Sequence, residues 1–403
     1  MGAVVRKFIF WSHLAVGLAA TVTILVMCVT GVLMTYERQI QTMVDRAGLR
    51  SRPPTPGAQP LKMEGVLTRV RAVKGIDPEY VTVFSGDRQP VEVYLNREAG
   101  SVYADAYTGA VLGEPSYATA RFFREVRAWH RWLGVSGPNR PRFRALIDAS
   151  NCVLLFLTIF GLYLWFPRKL TWRHFRAVLL FRPGMTGRAR DFNWHNVIGL
   201  WAAVPLVLIV WTGMAMSYPW AKRLTYQAAG TPIQKPPKQS EPAPEEHADD
   251  AQPVPFEARL LGLESLMARA QRQSPEWKAI TLEIPDTATD PVDFTIDMSG
   301  YDAIGKSADL ELDRSGNVLS FSAAASKGVT AKSFIRYGHT GELWGVPGQT
   351  AAGLGTLGGG FLVWTGLSLS LRRFRSWRTR EAKRAPGVAV GTSLGLRTTR
   401  EAA

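Results

Sequence analysis

The sequence predicts a membrane α-helical protein: four transmembrane helices in a two-fold internal repeat, with two α+β modules on the loops of one face. Three observations predict it. Four stretches of the 403-residue chain, 8–36, 149–167, 196–219 and 343–371, hold no Asp, Glu, Lys or Arg. Each can supply the about 20 apolar residues that a helix needs to cross a hydrocarbon core of roughly 30 Å. The second observation is where the charge lies. The net charge of +15 is concentrated at Arg6-Lys7, in the loop from Arg168 to Arg190 and in the tail from Arg372 to Arg384. These stretches share one side if the chain crosses four times. The third is repetition. His13 lies 18 residues before Gly31 of Thr30-Gly31, and His195 lies 18 before Gly213 of Thr212-Gly213. Eighteen residues at about 1.5 Å each span about 27 Å, one membrane crossing.

Each element follows in order. Residues 8–36 are the first helix, too long for a signal-peptide core and followed by no small-x-small cleavage site. Residues 37–128 form the first module, with a helical stretch at 63–73 and alternating strand patterns at 81–84 and 91–95. Strands at 101–105 and 110–112 follow, joined by a Thr108-Gly109 turn. Residues 129–144 are a juxtamembrane segment and 145–167 the second helix. Residues 168–194 make a basic loop with no acid before Asp191, and 195–218 the third helix. Residues 219–255 are a linker, rich in Pro, Glu, Asp and Gln from Thr231 onward, so His247 within it reads as solvated. The second module, 256–336, repeats the first: a helix over 256–273, strands at 280–284, 292–296 and 308–313, a Ser315-Gly316 turn and a strand at 318–319. Residues 337–348 hold His339-Thr340-Gly341, 349–371 are the fourth helix, and 372–403 a basic tail, expected disordered beyond Arg384.

The positive-inside rule places the basic stretches and both termini in the cytoplasm. The two large loops then face the periplasm of a bacterial inner membrane. Charge confined to short loops beside apolar helices points to a lipid bilayer and not to nucleic acid. Cys28 and Cys152 lie inside apolar blocks and read as small hydrophobic fillers, not as a disulfide or thiolate site.

Four of the six histidines sit at the ends of the apolar blocks: His13 and His195 at the cytoplasmic end, His130 and His339 at the other. Two imidazoles on opposite sides of a porphyrin, in a dry pocket, are what a haem in a helical bundle needs. The simplest pairing is His13 with His195 and His130 with His339, one haem near each surface. A helix crossing of about 27 Å forbids pairing His13 with His130. Gly17 and Gly199 lie one turn beyond His13 and His195 on the same helix face, where a macrocycle would press on backbone. Arg131 and Arg336 stand beside the other pair, placed to meet haem propionates. The plainer reading of a single such histidine is an interfacial residue beside Trp11 or Trp194, and the repeated spacing favours ligation over it. His130 and His339 are open to a second use, binding substrate or a labile metal. Trp129, Trp132, Tyr337 and Trp344 near them read as an interface belt, or more sharply as a docking patch for a substrate. His174, in the basic loop, has no counterpart in the repeat and reads as a surface residue. No nucleophile triad, HExxH helix, P-loop or dinucleotide-binding glycine pattern appears. The glycine run from Gly353 to Gly360 lies within an apolar block, where it allows close approach of a helix or porphyrin.

Three motifs carry a family resemblance: His130-Arg131-Trp132-Leu133, Gly161-Leu162-Tyr163-Leu164-Trp165-Phe166-Pro167-Arg168, and His339-Thr340-Gly341-Glu342-Leu343-Trp344-Gly345-Val346-Pro347-Gly348. With them the chain resembles the PepSY-associated transmembrane family, the iron-regulated membrane proteins that include haem-containing ferric-siderophore reductases. Ala104-Asp105-Ala106-Tyr107-Thr108-Gly109 resembles the sheet end of a PepSY domain, so the modules are expected to be PepSY-like. Asp313-Arg314-Ser315-Gly316 departs from that pattern in the second module. The resemblance implies two haems b, iron as substrate, and electron transfer across the membrane to a periplasmic ferric siderophore or other ferric chelate. No flavin- or nicotinamide-binding segment is present, so the electron donor is expected to be a quinol or a separate reductase. Two rival expectations stand beside this one. One is a non-enzymatic PepSY membrane protein that binds a periplasmic partner or protease. The other is an iron or siderophore uptake transporter, which would need more polar groups along the helices than Thr21, Thr23, Thr30, Thr158 and Thr212 supply.

Overall fold

The structure, a computed structural model, describes residues 2–166, 171–231, 254–299, 307–323 and 330–384. Most of the acidic linker with His247, the tail beyond Arg384 and the side chain of His174 lie outside the described residues.

The first apolar block is not one straight helix. It folds as α1 (Gly2–Ala19) and α2 (Thr21–Met34), bent by 67° at Ala20. Two threonine hydroxyls bracket the bend: Thr21 donates to the Gly17 carbonyl at 2.9 Å and Thr23 to that of Ala20 at 3.0 Å. Such back-bonding competes with the helix ladder. After α3 (Glu37–Asp45) and α4 (Met63–Lys74) come β1 (Tyr80–Phe84), β2 (Val91–Asn96), β3 (Gly100–Ala104) and β4 (Val111–Gly113). A short helix α5 (Tyr117–Trp132) leads to the long α6 (Arg140–Trp165), then α7 (Trp172–Leu179), α8 (Gly187–Ser217) and α9 (Pro219–Ala228). The second half continues with α10 (Phe256–Leu260), α11 (Leu263–Gln273), β5 (Ala279–Glu283), β6 (Val292–Asp297), β7 (Ser307–Leu312) and β8 (Val318–Ala323). It ends with α12 (Ala331–Thr340) and α13 (Gly345–Arg384).

Among the described residues, three helices are long and apolar enough to cross a membrane, and the bent α1–α2 pair makes a fourth if its pieces are one span. Their outer faces carry large exposed apolar side chains such as Val22, Trp201, Val204 and Leu354, the surface that lipid covers and water does not. The spans outrun the apolar blocks. α8 begins eight residues before His195 and α13 runs well past Leu371, because Arg, Lys and Ala continue a helix readily and long basic side chains reach back to water. His13 and His195 therefore sit inside helices, not at their ends.

α13 passes between α2 and α8 on a glycine stripe. A side chain at Gly353 or Gly359 would strike Thr35 or Cys28 of α2, and one at Gly355 or Gly358 would strike Pro205 or Ala202 of α8. In lipid, where no hydrophobic force drives helices together, such close backbone packing supplies the attraction.

The two modules read from the sequence as separate units form one sheet. Its strand order is β4-β3-β2-β1-β5-β6-β7-β8, antiparallel throughout, with the halves joined at β1–β5. Thr82 stands opposite Thr281 at the centre of that pairing, their hydroxyls 2.8 Å apart, which marks a local two-fold. One apolar core runs under both halves, from Leu67 and Val70 of α4 to Leu266 and Met267 of α11, over Val81, Val93, Ile280 and Phe294. The helix starts are exchanged across the seam. The Met63 N–H donates to Glu264 at 2.8 Å and the Glu264 N–H to Glu64 at 3.0 Å, so each glutamate serves the N-terminus of the other helix, where neither Lys62 nor Gly262 gives a side-chain cap. The second helical stretch also breaks, at Leu261-Gly262, where Gly262 takes φ +80°.

The divergent turn of the second half is built like the first. The Asp105 carboxylate accepts the N–H groups of Tyr107 and Thr108, and that of Asp313 accepts those of Ser315 and Asn317. Both turns close a hairpin, and the different spelling keeps the same device.

Two outcomes follow from the seam and the turn. Glu64→Ala and Glu264→Ala are each expected to cost about 1 kcal/mol, read as a lower unfolding temperature of the purified chain. Hydrogen bonds from Ser315 and Asn317 hold the Asp313 carboxyl down at about 2, against an ordinary 3.8. The stability it contributes is fully present above the ordinary value and is lost as pH falls through about 2. Asp313→Asn should remove that acid-dependent loss from a melting series taken down to low pH.

Candidate functional site

α5 and α12 are matching short helices. Ser116 caps the first by accepting the Thr119 N–H at 3.2 Å, and Thr330 caps the second by accepting the Ser333 N–H at 3.1 Å. Each carries a histidine in its last turn, His130 and His339. Each is stopped by left-handed backbone, at Leu133-Gly134 and at Gly341. In the second motif a side chain at Gly341 would collide with the Gly348 carbonyl, and one at Gly348 with that of Gly341. The two glycines interlock, which fixes α12 against the start of α13.

All four predicted histidines rest on a glycine of a neighbouring helix, and each does so within its own half of the repeat. The Cε1 of His13 lies 3.4 Å from where a Cβ on Gly161 would stand, and that of His195 lies 3.6 Å from the same point on Gly366. At the sheet end, His130 lies 3.6 Å from such a point on Gly31 and His339 3.2 Å from one on Gly213.

The residue before the glycine decides what the other side of the ring meets. His130 Nδ1 is 2.9 Å from Thr30 Oγ1, His339 Nδ1 is 3.3 Å from Thr212 Oγ1, and His195 Nδ1 is 2.9 Å from Thr365 Oγ1. Each threonine gives its own hydroxyl proton to the carbonyl four residues back: Val26 at 2.6 Å, Leu208 at 2.7 Å and Phe361 at 2.8 Å. A hydroxyl has one proton. Its oxygen is therefore the acceptor, Nδ1 carries the imidazole proton, and Nε2 is left bare. The Ile209 carbonyl, 2.8 Å from His339 Nδ1, requires the same tautomer there. At His13 the equivalent residue is Phe160, and among the described residues its buried Nδ1 has no hydrogen-bond partner.

The structure brings one pair of histidines together across the seam between the halves. The His130 and His339 rings stand 6.3 Å apart, centroid to centroid, inclined at 64°. Among the described residues no group of three or more His, Cys, Asp or Glu gathers to hold a metal ion, so the pair stands as two imidazoles alone.

Separate clamps hold the helices that carry each contact. Arg6 donates to the Leu164 carbonyl at 2.5 Å, tying α1 to the end of α6 near His13 and Gly161. The buried Asp191, one turn before His195, accepts from Ser368 at 2.7 Å and pairs with Arg372 at 3.3 Å, tying α8 to α13. At the sheet end Asn151 donates to the Val210 carbonyl at 3.1 Å, and Gln349 donates to that of Thr35 at 3.1 Å.

Gly17 and Gly199 are placed differently from the reading that set them against a macrocycle. Their Cβ positions face Leu157 and Leu362 of neighbouring helices. The glycines under the imidazoles are Gly31, Gly161, Gly213 and Gly366, which sequence reasoning used only as landmarks. Arg131 lies over Trp132 at 4.9 Å and Arg336 over Tyr337 at 5.5 Å. Arg131 belongs to a positive cluster. Burial, then Arg144, Arg140 and Arg127, push its pKa down, which leaves this surface suited to an anion. Arg140 covers Trp132 at 3.8 Å.

A family model described as the PepSY-associated TM region matches residues 10–373. No curated protein matches the chain.

The glycine contacts differ in slack. A methyl group at Gly213 would stand 3.0 Å from Asn151 and 3.2 Å from His339, too close for either to keep its place. Gly213→Ala is expected to weaken what the His130–His339 pair holds by about tenfold. Gly366→Ala, with ordinary contact distance, should stay near wild type. Any chromophore that the purified chain retains, read by absorption, checks both.

Proposed function

The chain belongs to the PepSY-associated transmembrane family, and from that premise we propose a dihaem b-type cytochrome that carries electrons across the bacterial inner membrane to a periplasmic ferric chelate. A ferric siderophore is the chelate proposed. The observation that carries the reading is the approach of the His130 and His339 rings to 6.3 Å across the seam, with the Nδ1 of each beside a threonine hydroxyl. His130 and His339, with ring centroids 6.3 Å apart, would hold one metal centre between them. A porphyrin supplies the remaining donors, which fits two imidazoles with no further ligating side chain.

Haem at these sites supplies one-electron exchange between ferric and ferrous iron. The chain's residues do the rest. His13 and His195 hold the cytoplasmic site, and His130 and His339 the periplasmic one. The threonines fix the tautomer and ring angle of their partners and strengthen them as ligands. The α13 glycine stripe excludes water between the two sites by bringing α2, α13 and α8 into contact. Arg127, Arg131, Arg140 and Arg144 make the periplasmic approach positive, for a propionate or an anionic chelate. Each ferric ion takes one electron and leaves as ferrous iron, which hard oxygen chelators hold less tightly. A quinol donor gives two electrons and releases two protons, and a separate reductase is the other donor class. The basic stretches and both termini then face the cytoplasm.

A transport pathway finds less support. The polar side chains inside the bundle are spent on their neighbours, as in Thr23–Ser150 at 2.8 Å and Asn151 with the Val210 carbonyl.

The purified protein is expected to carry two haems b per chain, with a reduced-minus-oxidised spectrum of bis-imidazole type. His13→Ala and His195→Ala should each lose one haem and keep the other, and His130→Ala and His339→Ala the converse. A chain without haem, or full haem content in these variants, would sink the reading.

A further inference from the structure

We propose that one position tunes the two haem sites unequally: the residue before each supporting glycine, which is threonine for three ligands and Phe160 for His13. The result is a cytoplasmic haem with the higher reduction potential of the two. This rests on the dihaem reading above.

The register makes the comparison direct. Gly161 lies under His13 as Gly366 lies under His195, at 3.4 and 3.6 Å from the respective Cε1 atoms. Thr365 therefore marks the place in α13 that Phe160 fills in α6. From that place Thr365 accepts the Nδ1 proton of His195 at 2.9 Å. Phe160 has no acceptor to offer and instead stacks on Phe156, ring centroids 4.5 Å apart. The buried Nδ1 of His13 is left without a partner among the described residues.

The consequence follows from ligand chemistry. An imidazole that donates Nδ1–H to an acceptor gains basicity at Nε2 and pushes more charge onto the metal, which favours the ferric state. His130 and His339 both have that support twice, His130 from Thr30 and the Met27 carbonyl and His339 from Thr212 and the Ile209 carbonyl. The periplasmic iron is thus held by two strong donors. The cytoplasmic iron is held by one strong donor, His195, and one weak one, His13. Its ferrous state is relatively favoured, and it takes an electron from the donor more readily than its partner does.

The test is an anaerobic potentiometric titration of the purified full chain, followed by haem absorbance. Two one-electron components are expected, the higher being the one lost in His13→Ala. Phe160→Thr places a hydroxyl at the Thr365 position and should lower that component while the other stays. Thr365→Val removes the remaining acceptor and should raise the same component. Wild-type protein without haem would end the dihaem reading itself. Haem present in full, with neither variant moving a potential, overturns this inference alone. So does a shift confined to the component that survives His13→Ala. If Phe160→Thr does not assemble, Thr365→Val decides alone, since a fall or no change there contradicts the proposal.

Discussion

The structure depends on the seam between its two halves. Each half docks its own two histidines on its own glycines: His13 on Gly161 and His130 on Gly31, His195 on Gly366 and His339 on Gly213. None of those contacts crosses the seam. At the sheet end the His130 and His339 rings, 6.3 Å apart, are what the halves present to each other, so the proposed site exists only where the halves close. This is a common logic of internal repeats in membranes, where the site lies between repeats that are each incomplete. It also explains why the same helices carry two functions. α8 bears His195 near one end and the Thr212-Gly213 support for His339 near the other.

Two different forces close the seam, because it runs through two solvents. In the apolar layer, packing of α13 against α2 and α8 depends on glycines that let backbones meet, since lipid is as apolar as the side chains it replaces. Outside it, the β1–β5 pairing and the shared core of α4 and α11 bring in the hydrophobic effect. The exchanged glutamates, Glu64 and Glu264, then fix the register of the two helices. An eight-stranded sheet hung on the ends of the bundle limits how far the halves can part, and so limits the spread of the imidazole pair. Independent modules on flexible stalks would impose no such limit.

The strand positions, the long apolar helices and the juxtaposition of His130 with His339 were legible in the sequence because each leaves a trace: alternation, an uncharged run, a repeated motif. What was not legible is tertiary. Val81-Thr82-Val83 and Ile280-Thr281-Leu282 read as ordinary strands, and nothing in either says that it pairs with the other to merge two modules into one sheet. The 67° bend at Ala20 falls in a run that is apolar on any hydropathy count, and the threonine back-bonds beside it recur in helices that continue unbroken. Gly17 and Gly199 drew attention because they share a helix face with a histidine. The supporting glycines belong to other helices, and same-helix periodicity cannot find them. The available signal was the Thr-Gly dipeptide at 30–31, 212–213 and 365–366, with Phe160-Gly161 as its exception.

That exception has a physical setting in which it makes sense. On the proposed orientation an electron leaving the cell moves from the negative to the positive side of the membrane, and the potential contributes about 2.3 kcal/mol per charge per 100 mV. The first haem can then be the easier one to reduce without stranding the electron, because the field offsets a step to a lower-potential second haem. The first site is free to be matched to a mild donor such as a quinol. On the proposed reading the second, with both histidines held by a threonine and by a backbone carbonyl as well, would deliver the more strongly reducing electron to the ferric chelate. A symmetric pair of sites would give up one of those two fits.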